Sequence, residues 1–309
     1  MVSGLALGGA AVGLGLAGLG WSLVEAQLYT LRHVQVPVLP PGAGPVRLLH
    51  ISDIHLVPSQ ARKRAWLRAL AEVKPDVVID TGDNLAHPQA VPAVLDALEP
   101  LLALPGAFVM GSNDYFSPKA KNPSRYLLPD PRARGIGDSR ELPTSELSAG
   151  FTAAGWLDLT NRRDTLTVRG VRLDLVGVDD PHLERDRFPA AGPAAAPDTP
   201  VPSIRLGVAH APYRRVLDRM HADGADLILA GHTHGGQLCV PGYGALVTNC
   251  DLDRGRAKGL HGWPGDRPDL PWGAGSTWLH VSAGLGTSPY TPVRFACRPE
   301  ATLLELVGR

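Results

Sequence analysis

The chain reads as an α/β layered domain, and three observations predict that class. Short apolar runs alternate with amphipathic stretches at helical spacing, and the links between them are mostly short. Several of the apolar runs stop at carboxylates, amides or imidazoles, the pattern of an open sheet whose ligands gather beyond the carboxyl ends of its strands. Length agrees: 309 residues, 44% of them hydrophobic, supply one large core.

The first element stands apart from this alternation. No charged residue occurs from Val2 to Val24, and at about 1.5 Å per residue a helix over those positions reaches roughly 35 Å, enough for a bilayer core. Glycine recurs throughout, and Gly9 to Gly13 forms a small-xxx-small pattern that permits close helix pairing. Trp21 and Tyr29 are suited to an interface. A cleaved signal peptide is the rival reading, but a basic leading region is missing and the apolar span is longer than such peptides carry. Residues 1–25 are therefore expected to be a single-pass anchor in the cell membrane, 26–45 a linker, and 46–309 the catalytic domain. Arg32 and Arg47 follow the span and no side-chain cation precedes it, which places the domain on the cytoplasmic side by the positive-inside tendency.

Strands and helices then alternate. A strand over 46–52 runs into Asp53-Ile54-His55; a helix over 62–73 follows, with Ser59 as its expected N-cap and Trp66, Leu67, Leu70 and Val73 on one face. A strand over 77–80 ends in Thr81-Gly82-Asp83-Asn84, and 91–102 repeats the amphipathic helical period. The next strand, 107–110, ends in Gly111-Ser112-Asn113-Asp114. Residues 116–150 form a long basic stretch rich in turn formers, read as a lid or a solvated excursion, with a short helix near its end. A strand over 171–178 leads to Asp179-Asp180-Pro181-His182, and the proline- and alanine-rich 183–203 is a surface insertion. A strand over 204–209 delivers His210, a helix follows over 213–222, and a last apolar run delivers Gly231-His232-Thr233-His234-Gly235-Gly236. The loop over 255–275 carries Trp263 and Trp272, which either pack down or meet a lipid surface.

Residues i and i+2 of an extended segment project to one side, so Asp53 with His55, and His232 with His234, can each address one point. A lone buried Asp or His is more often a satisfied core group. Five strand ends bearing such groups, from position 53 to position 234, are hard to explain as packing.

The ordered set Asp-x-His, Gly-Asp, Gly-x-Asn-Asp, a single His, and Gly-His-Thr-His resembles the calcineurin-like metallophosphoesterase superfamily. Gly231 to Gln237 and Val281 to Ser288 are similar to its membrane-associated bacterial branch, and the likeness runs from about residue 40 to 307. It implies two facing mixed β-sheets flanked by helices, a four-layer sandwich, around a binuclear metal site. Carried over by position, Asp53, His55 and His234 hold one metal, Asp83 bridges, and Asn113, His210 and His232 hold the second. A nitrogen and oxygen set without thiolate suits Mn, Fe, Zn or Co, and four imidazoles argue against plain magnesium. Two such ions about 3.5 to 4 Å apart acidify a shared water and clamp the phosphoryl oxygens, so no serine or cysteine nucleophile is required.

One run departs from the family. Most members have Gly-Asn-His before an acidic residue, the amide binding metal and the histidine protonating the leaving group; here the run is Gly111-Ser112-Asn113-Asp114. Either Asn113 reaches the metal from one position later, or Ser112 is a neutral ligand and Asn113 replaces the histidine. Both versions lose the histidine acid, leaving Asp114 or His182 to act in its place, or a substrate whose leaving group departs unaided. The expected function is a membrane-anchored phosphodiester hydrolase with a metal-bridging hydroxide, acting on a lipid or nucleotide type of phosphate ester. The alternative is a catalytically weak or inactive binding protein that keeps the same shell. Thirty basic residues balance thirty acidic ones, so no bulk attraction to nucleic acid is expected. Three cysteines give no disulfide framework.

Overall fold

A computed structural model describes residues 4–120, 139–190 and 201–309, with the backbone alone for 4–12 and 14. Helix α1 (Gly4–Glu25) leads to strand β1 (Thr30–Leu39), and β2 (Val46–Ile51), α2 (Ala61–Ala69), β3 (Val77–Asp80), α3 (Val91–Leu102) and β4 (Gly106–Phe108) follow. After the short α4 (Ser112–Tyr115) come α5 (Thr144–Ala153), β5 (Leu157–Asp158), β6 (Arg163–Val168), β7 (Val171–Gly177), β8 (Ser203–Ala209) and α6 (Arg214–Ala222). The chain closes with β9 (Leu227–Ala230), a small hairpin of β10 (Cys239–Val240) and β11 (Gly244–Ala245), then β12 (Gly259–Trp263), β13 (Thr277–Val281) and β14 (Glu300–Gly308).

Among the described residues two six-stranded sheets form, in the orders β1-β14-β2-β3-β4-β5 and β12-β13-β9-β8-β7-β6. Both are mixed: β14 with β2, β6 with β7 and β12 with β13 pair antiparallel, the other neighbours parallel. Successive residues of a strand point to opposite faces, so each central strand serves two cores. Val46, Leu48, Val77 and Ile79 meet Leu173, Leu206, Val208 and Leu229 between the sheets. Leu49, Ile51 and Val78 instead pack with Leu67 of α2, Val94 and Leu98 of α3, and Phe151 of α5. On the far side Val216, Leu217 and Met220 of α6 cover Ile228 and Leu279. Strands buried on both faces read as largely apolar runs, which is why the segments that form β2, β3 and β9 stood out in the sequence. The expected four layers are present.

Three expectations need correction. Residues 26–45 are not a linker: β1 pairs in parallel with β14 from Thr30↔Glu300 onward and buries Val36, Val38 and Leu39. Its partner lies some 270 positions away in sequence, and Pro37 is tolerated because β1 is a sheet edge. The loop over 255–275 contains β12, and the register Trp263↔Thr277 with Val281↔Ala230 puts its tip, with Trp272, at the end of the sheet remote from His232 and His234. Helix α2 takes Gln60 rather than Ser59 as its N-cap, and no side chain there accepts from the first N–H groups of the helix.

The anchor expected over 1–25 falls largely on residues whose side chains lie outside the described ones. Among the described residues no helix is long and apolar enough to cross a membrane. The structure gives α1 docked by its last turn: Ser22 and Glu25 are buried, the Ser22 carbonyl accepts from the Arg294 N–H, and the Glu25 carboxylate accepts from the N–H groups of Ala296 and Cys297. Lys121, Arg125, Arg132 and Arg134 of the expected basic lid lie outside the described residues, as do Pro193, Pro197 and Pro200 of the insertion.

The strand assignment of β1 is testable by unfolding in urea. Leu39→Ala is expected to cost about 2–5 kcal/mol, whereas the exposed His33→Ala on the same strand stays within about 0.5 kcal/mol. Equal, negligible effects would restore the linker.

Candidate metal centre

The carboxyl edges of the two sheets meet, and the loops leaving them are stitched together by backbone hydrogen bonds. Asp53 N–H donates to Gly82 O, His55 N–H to Asp83 O and Leu56 N–H to Asn84 O, which extends the pairing of β2 with β3 beyond both strands. Gly231 N–H donates to His210 O, and Gly286 N–H to Asp53 O. Within these loops Asp53, His55, Asp83, His232 and His234 all take the left-handed backbone, with φ from 43° to 69°. The i, i+2 geometry of an extended strand is therefore not what aims Asp53 with His55, or His232 with His234. Left-handed turns do it. Two glycines are dictated by crowding: a Cβ on Gly231 would sit 1.9 Å from Ser52 Oγ, and one on Gly111 would sit 2.3 Å from Asp83 Oδ1.

Asp53, His55 and His234 form one group able to hold a metal ion, and Asp53, Asp83 and His210 a second. Asp83 lies across them, Oδ2 3.4 Å from His55 Nε2 and Oδ1 3.5 Å from His210 Nε2. His234 Nε2 is 3.5 Å from Asp53 Oδ1 and 3.2 Å from His55 Nε2; His232 Nδ1 is 3.3 Å from His210 Nε2. Asn113 joins the group through Asp83: its N–H donates to Oδ1 at 2.7 Å and its side-chain amide to Oδ2 at 2.8 Å. All seven residues expected to be ligands are thus brought to one place.

The donor set fits divalent ions. Three of the four imidazoles rest their outer nitrogen on a backbone carbonyl: His210 Nδ1 on Thr81 (2.8 Å), His232 Nε2 on Asn249 (3.1 Å) and His234 Nδ1 on Gly286 (3.2 Å). A ring N–H donated outward leaves the inner nitrogen's lone pair free to ligate. For His55, Nδ1 is buried without a hydrogen-bond partner among the described residues. Inner nitrogens 3.2–3.3 Å apart have the spacing of two ligands on an ion at about 2.1 Å. Burial holds His232 and His234 well below the usual imidazole range and His55 down to about 4, so their lone pairs are free at neutral pH. Burial also depresses His210, but Asp83, Asp53 and Asp180 outweigh it and lift it to about 9. Burial pushes Asp53 up to about 6; against the same penalty His210, His55 and Asn113 hold Asp83 below the ordinary carboxylate range.

The two residues expected as acids separate. Asp114 is fully buried and its two oxygens accept from the N–H groups of Asp83, Asn84, Leu85 and Gly111 at 2.7–3.2 Å. Such a carboxylate ties two ligand loops together and has no free edge to offer a substrate, which removes the basis for expecting it to deliver a proton. His182 stands beside the site, its ring centroid 4.6 Å from that of His232 and its Nδ1 2.9 Å from the Tyr213 hydroxyl.

Supporting residues escaped the sequence reading. Ser52 Oγ donates to Asp53 Oδ2 at 2.5 Å. Fully buried Arg294 donates to the carbonyls of Gly284 and Gly286, on which His234 leans. His50 and His280 meet between the sheets, Nδ1 to Nδ1 at 2.8 Å, and His50 Nε2 continues to Thr81 Oγ1, whose own carbonyl holds His210. The only signal in the sequence was a histidine inside each of two apolar strands.

Comparison with known proteins agrees with this geometry. Residues 46–236, more than half of the chain, match the family described as calcineurin-like phosphoesterase. The chain is similar to phosphodiesterase YaeI of Escherichia coli, 28% identical over 90% of this chain and 87% of that protein. It is also similar to the uncharacterized metallophosphoesterase YkuE of Bacillus subtilis, 26% identical over 92% and 86%. A third relative is a transmembrane protein with metallophosphoesterase domain from Bos taurus, 26% identical over 92% of this chain and 58% of that one. With its candidate metal ligands gathered where two sheets meet, the chain belongs to the calcineurin-like phosphoesterase family and is a hydrolase of phosphoric ester bonds.

Proposed function

We propose that the chain hydrolyses phosphodiester bonds at a centre of two divalent ions, drawn from manganese, iron, zinc and cobalt, while α1 anchors it in the cell membrane. Asp53, His55 and His234 hold one ion; Asn113, His210 and His232 hold the other. The observation that carries this reading is Asp83, whose two oxygens turn to different imidazoles, Oδ1 to His210 and Oδ2 to His55. Only a carboxylate offers two such oxygens. When bound, the ions supply Lewis acidity towards the phosphoryl oxygens and an acidified water as nucleophile.

The chain's own residues do the rest. Asn113 orients Asp83 through two hydrogen bonds, and Asp114 fixes the loops carrying both. His182, beside His232 and braced by Tyr213, is the imidazole that protonates the leaving oxygen in place of the missing family histidine. The name of the Escherichia coli relative favours diesters. Anchoring is supported by the charge-free run from Val2 to Val24 and by the transmembrane relatives. A phosphate ester of lipid or nucleotide type suits the site.

With manganese supplied, Asp83→Asn is expected to lower kcat/KM for bis-p-nitrophenyl phosphate by about 10³-fold or more and to reduce bound metal, measured by plasma mass spectrometry. Wild-type turnover in this variant would remove Asp83 from the bridging role. Stoichiometric metal on the native chain without turnover of any ester would favour the binding-protein alternative.

Protonation by His182 matters most for poor leaving groups. His182→Ala is expected to slow alkyl diesters by about 10² to 10⁴ in kcat, with p-nitrophenyl esters nearly unaffected and the dependence on leaving-group pKa made steeper. An equal loss across both classes would mean that His182 acts on structure alone.

A further inference from the structure

The described part of α1 stands clear of the domain until its last turn. Gly13, Gly15 and Gly20 have open space around them, and Leu16, Leu19 and Trp21 are exposed. A helix that is apolar on every side belongs inside a protein core or in lipid. Its docked end is fixed by the segment before β14: the Arg294 N–H donates to Ser22 O, and the Ala296 and Cys297 N–H groups donate to Glu25. The opposite side of that segment holds the β10–β11 hairpin, through Cys239 N–H to Phe295 O and Phe295 N–H to Gln237 O. Since Thr302 pairs antiparallel with His50, the segment leading directly into Glu300 lies beyond the carboxyl end of β2, at the metal-site end of the sheets.

The hairpin itself is apolar and uncovered. Leu238 and Val240 are 45% exposed, Tyr243 61% and Leu246 38%, all within a dozen positions of His234. The Arg254 guanidinium lies 5.0 Å over the Tyr243 ring. Aliphatic side chains, a tyrosine and an arginine on one rim make the composition of a membrane–water interface. Trp21, one turn before the docked Glu25 and donating to it at 2.9 Å, marks the same level on α1.

We infer that the β10–β11 hairpin rests on the headgroup layer of the bilayer that α1 enters, so that the metal site opens onto the membrane surface beside the helix. The inference builds on the anchoring reading and adds a second, independent contact. The occupant is a lipid surface because the rim adjoins a helix whose described part before its last turn is uncharged, apolar and uncovered. Trp272, the most exposed large apolar residue described, is at the other end of the sheet and serves as the control.

The test is photocrosslinking of the full chain in vesicles of phosphatidylcholine and phosphatidylglycerol, doped with a phospholipid whose diazirine sits near the acyl carbonyl. Peptides covering 238–246 and the end of α1 are expected to carry lipid adducts, and the 264–276 loop none. The double variant Val240→Ser, Tyr243→Ser should lose about tenfold of the hairpin adducts while keeping those on α1 and full activity on bis-p-nitrophenyl phosphate, which shows the variant folded. Adducts on α1 with a bare hairpin would overturn the inference and leave the anchor standing. Adducts on neither, with release of the chain by alkaline carbonate, would overturn both. Equal labelling of 264–276 would mean that contact is indiscriminate, and also overturns it.

Discussion

The site rests on five side-chain-bearing residues held in a backbone conformation that favours glycine. Asp53, His55, Asp83, His232 and His234 have positive φ, each at a cost of about 1–3 kcal/mol. Together these approach the whole net stability of an ordinary domain, so the loops cannot hold themselves. The buried cores on both faces of each sheet and an extended hydrogen-bond ladder supply the offset. The ladder from β2 to β3 continues past the strands through Asp53, His55 and Leu56, and Asp114 gathers four N–H groups from the Asp83 and Gly111 loops. Without those constraints the same side chains would relax towards solvent and away from one another.

The left-handed turns also explain how so many polar groups are buried together. The turns bring the side chains together where the two sheets meet, and neighbouring carbonyls take the outer ring nitrogens of His210, His232 and His234. What faces inward includes the unprotonated ring nitrogens of His55, His232 and His234 beside the Asp53 and Asp83 carboxylates. Buried acceptors without donors are unfavourable, and a divalent cation is the partner that relieves them. Stability, in this fold, is spent in the loops so that the seam remains electron-rich.

Much of this was legible because buried strands leave apolar runs and their ends carry the chemistry. The runs at 46–52 and 77–80 and the one ending at Ala230 named three strands, and Asp53, Asp83 and His232 marked where they stop. The physical route was misjudged, since alternation along a strand would also aim such pairs, and only dihedral angles distinguish the two. β1 was missed because its pairing partner is at the far end of the chain and Pro37 interrupts its pattern. Asp114 looked like an acid because composition does not reveal that four backbone donors already claim it. Arg294 gave no signal at all: a lone arginine between turn formers says nothing of being fully buried behind His234.

That arginine ties the helix to the chemistry. Its backbone N–H is held by Ser22 of α1, and its guanidinium donates to the Gly284 and Gly286 carbonyls and lies 3.3 Å from His234 Nδ1. Glu25 fixes the Ala296 and Cys297 N–H groups of the same segment. One residue thus joins the end of α1 to a candidate ligand without any flexible spacer, and in a close-packed interior a displacement of one would be felt by the other. On the anchoring proposed above, a helix that only tethered would need no such bond, since a disordered linker would hold the domain equally well. Rigid attachment has a use only if the orientation of the domain on α1 matters, and an open rim of Leu238, Val240 and Tyr243 beside that attachment is what orientation would bring to bear.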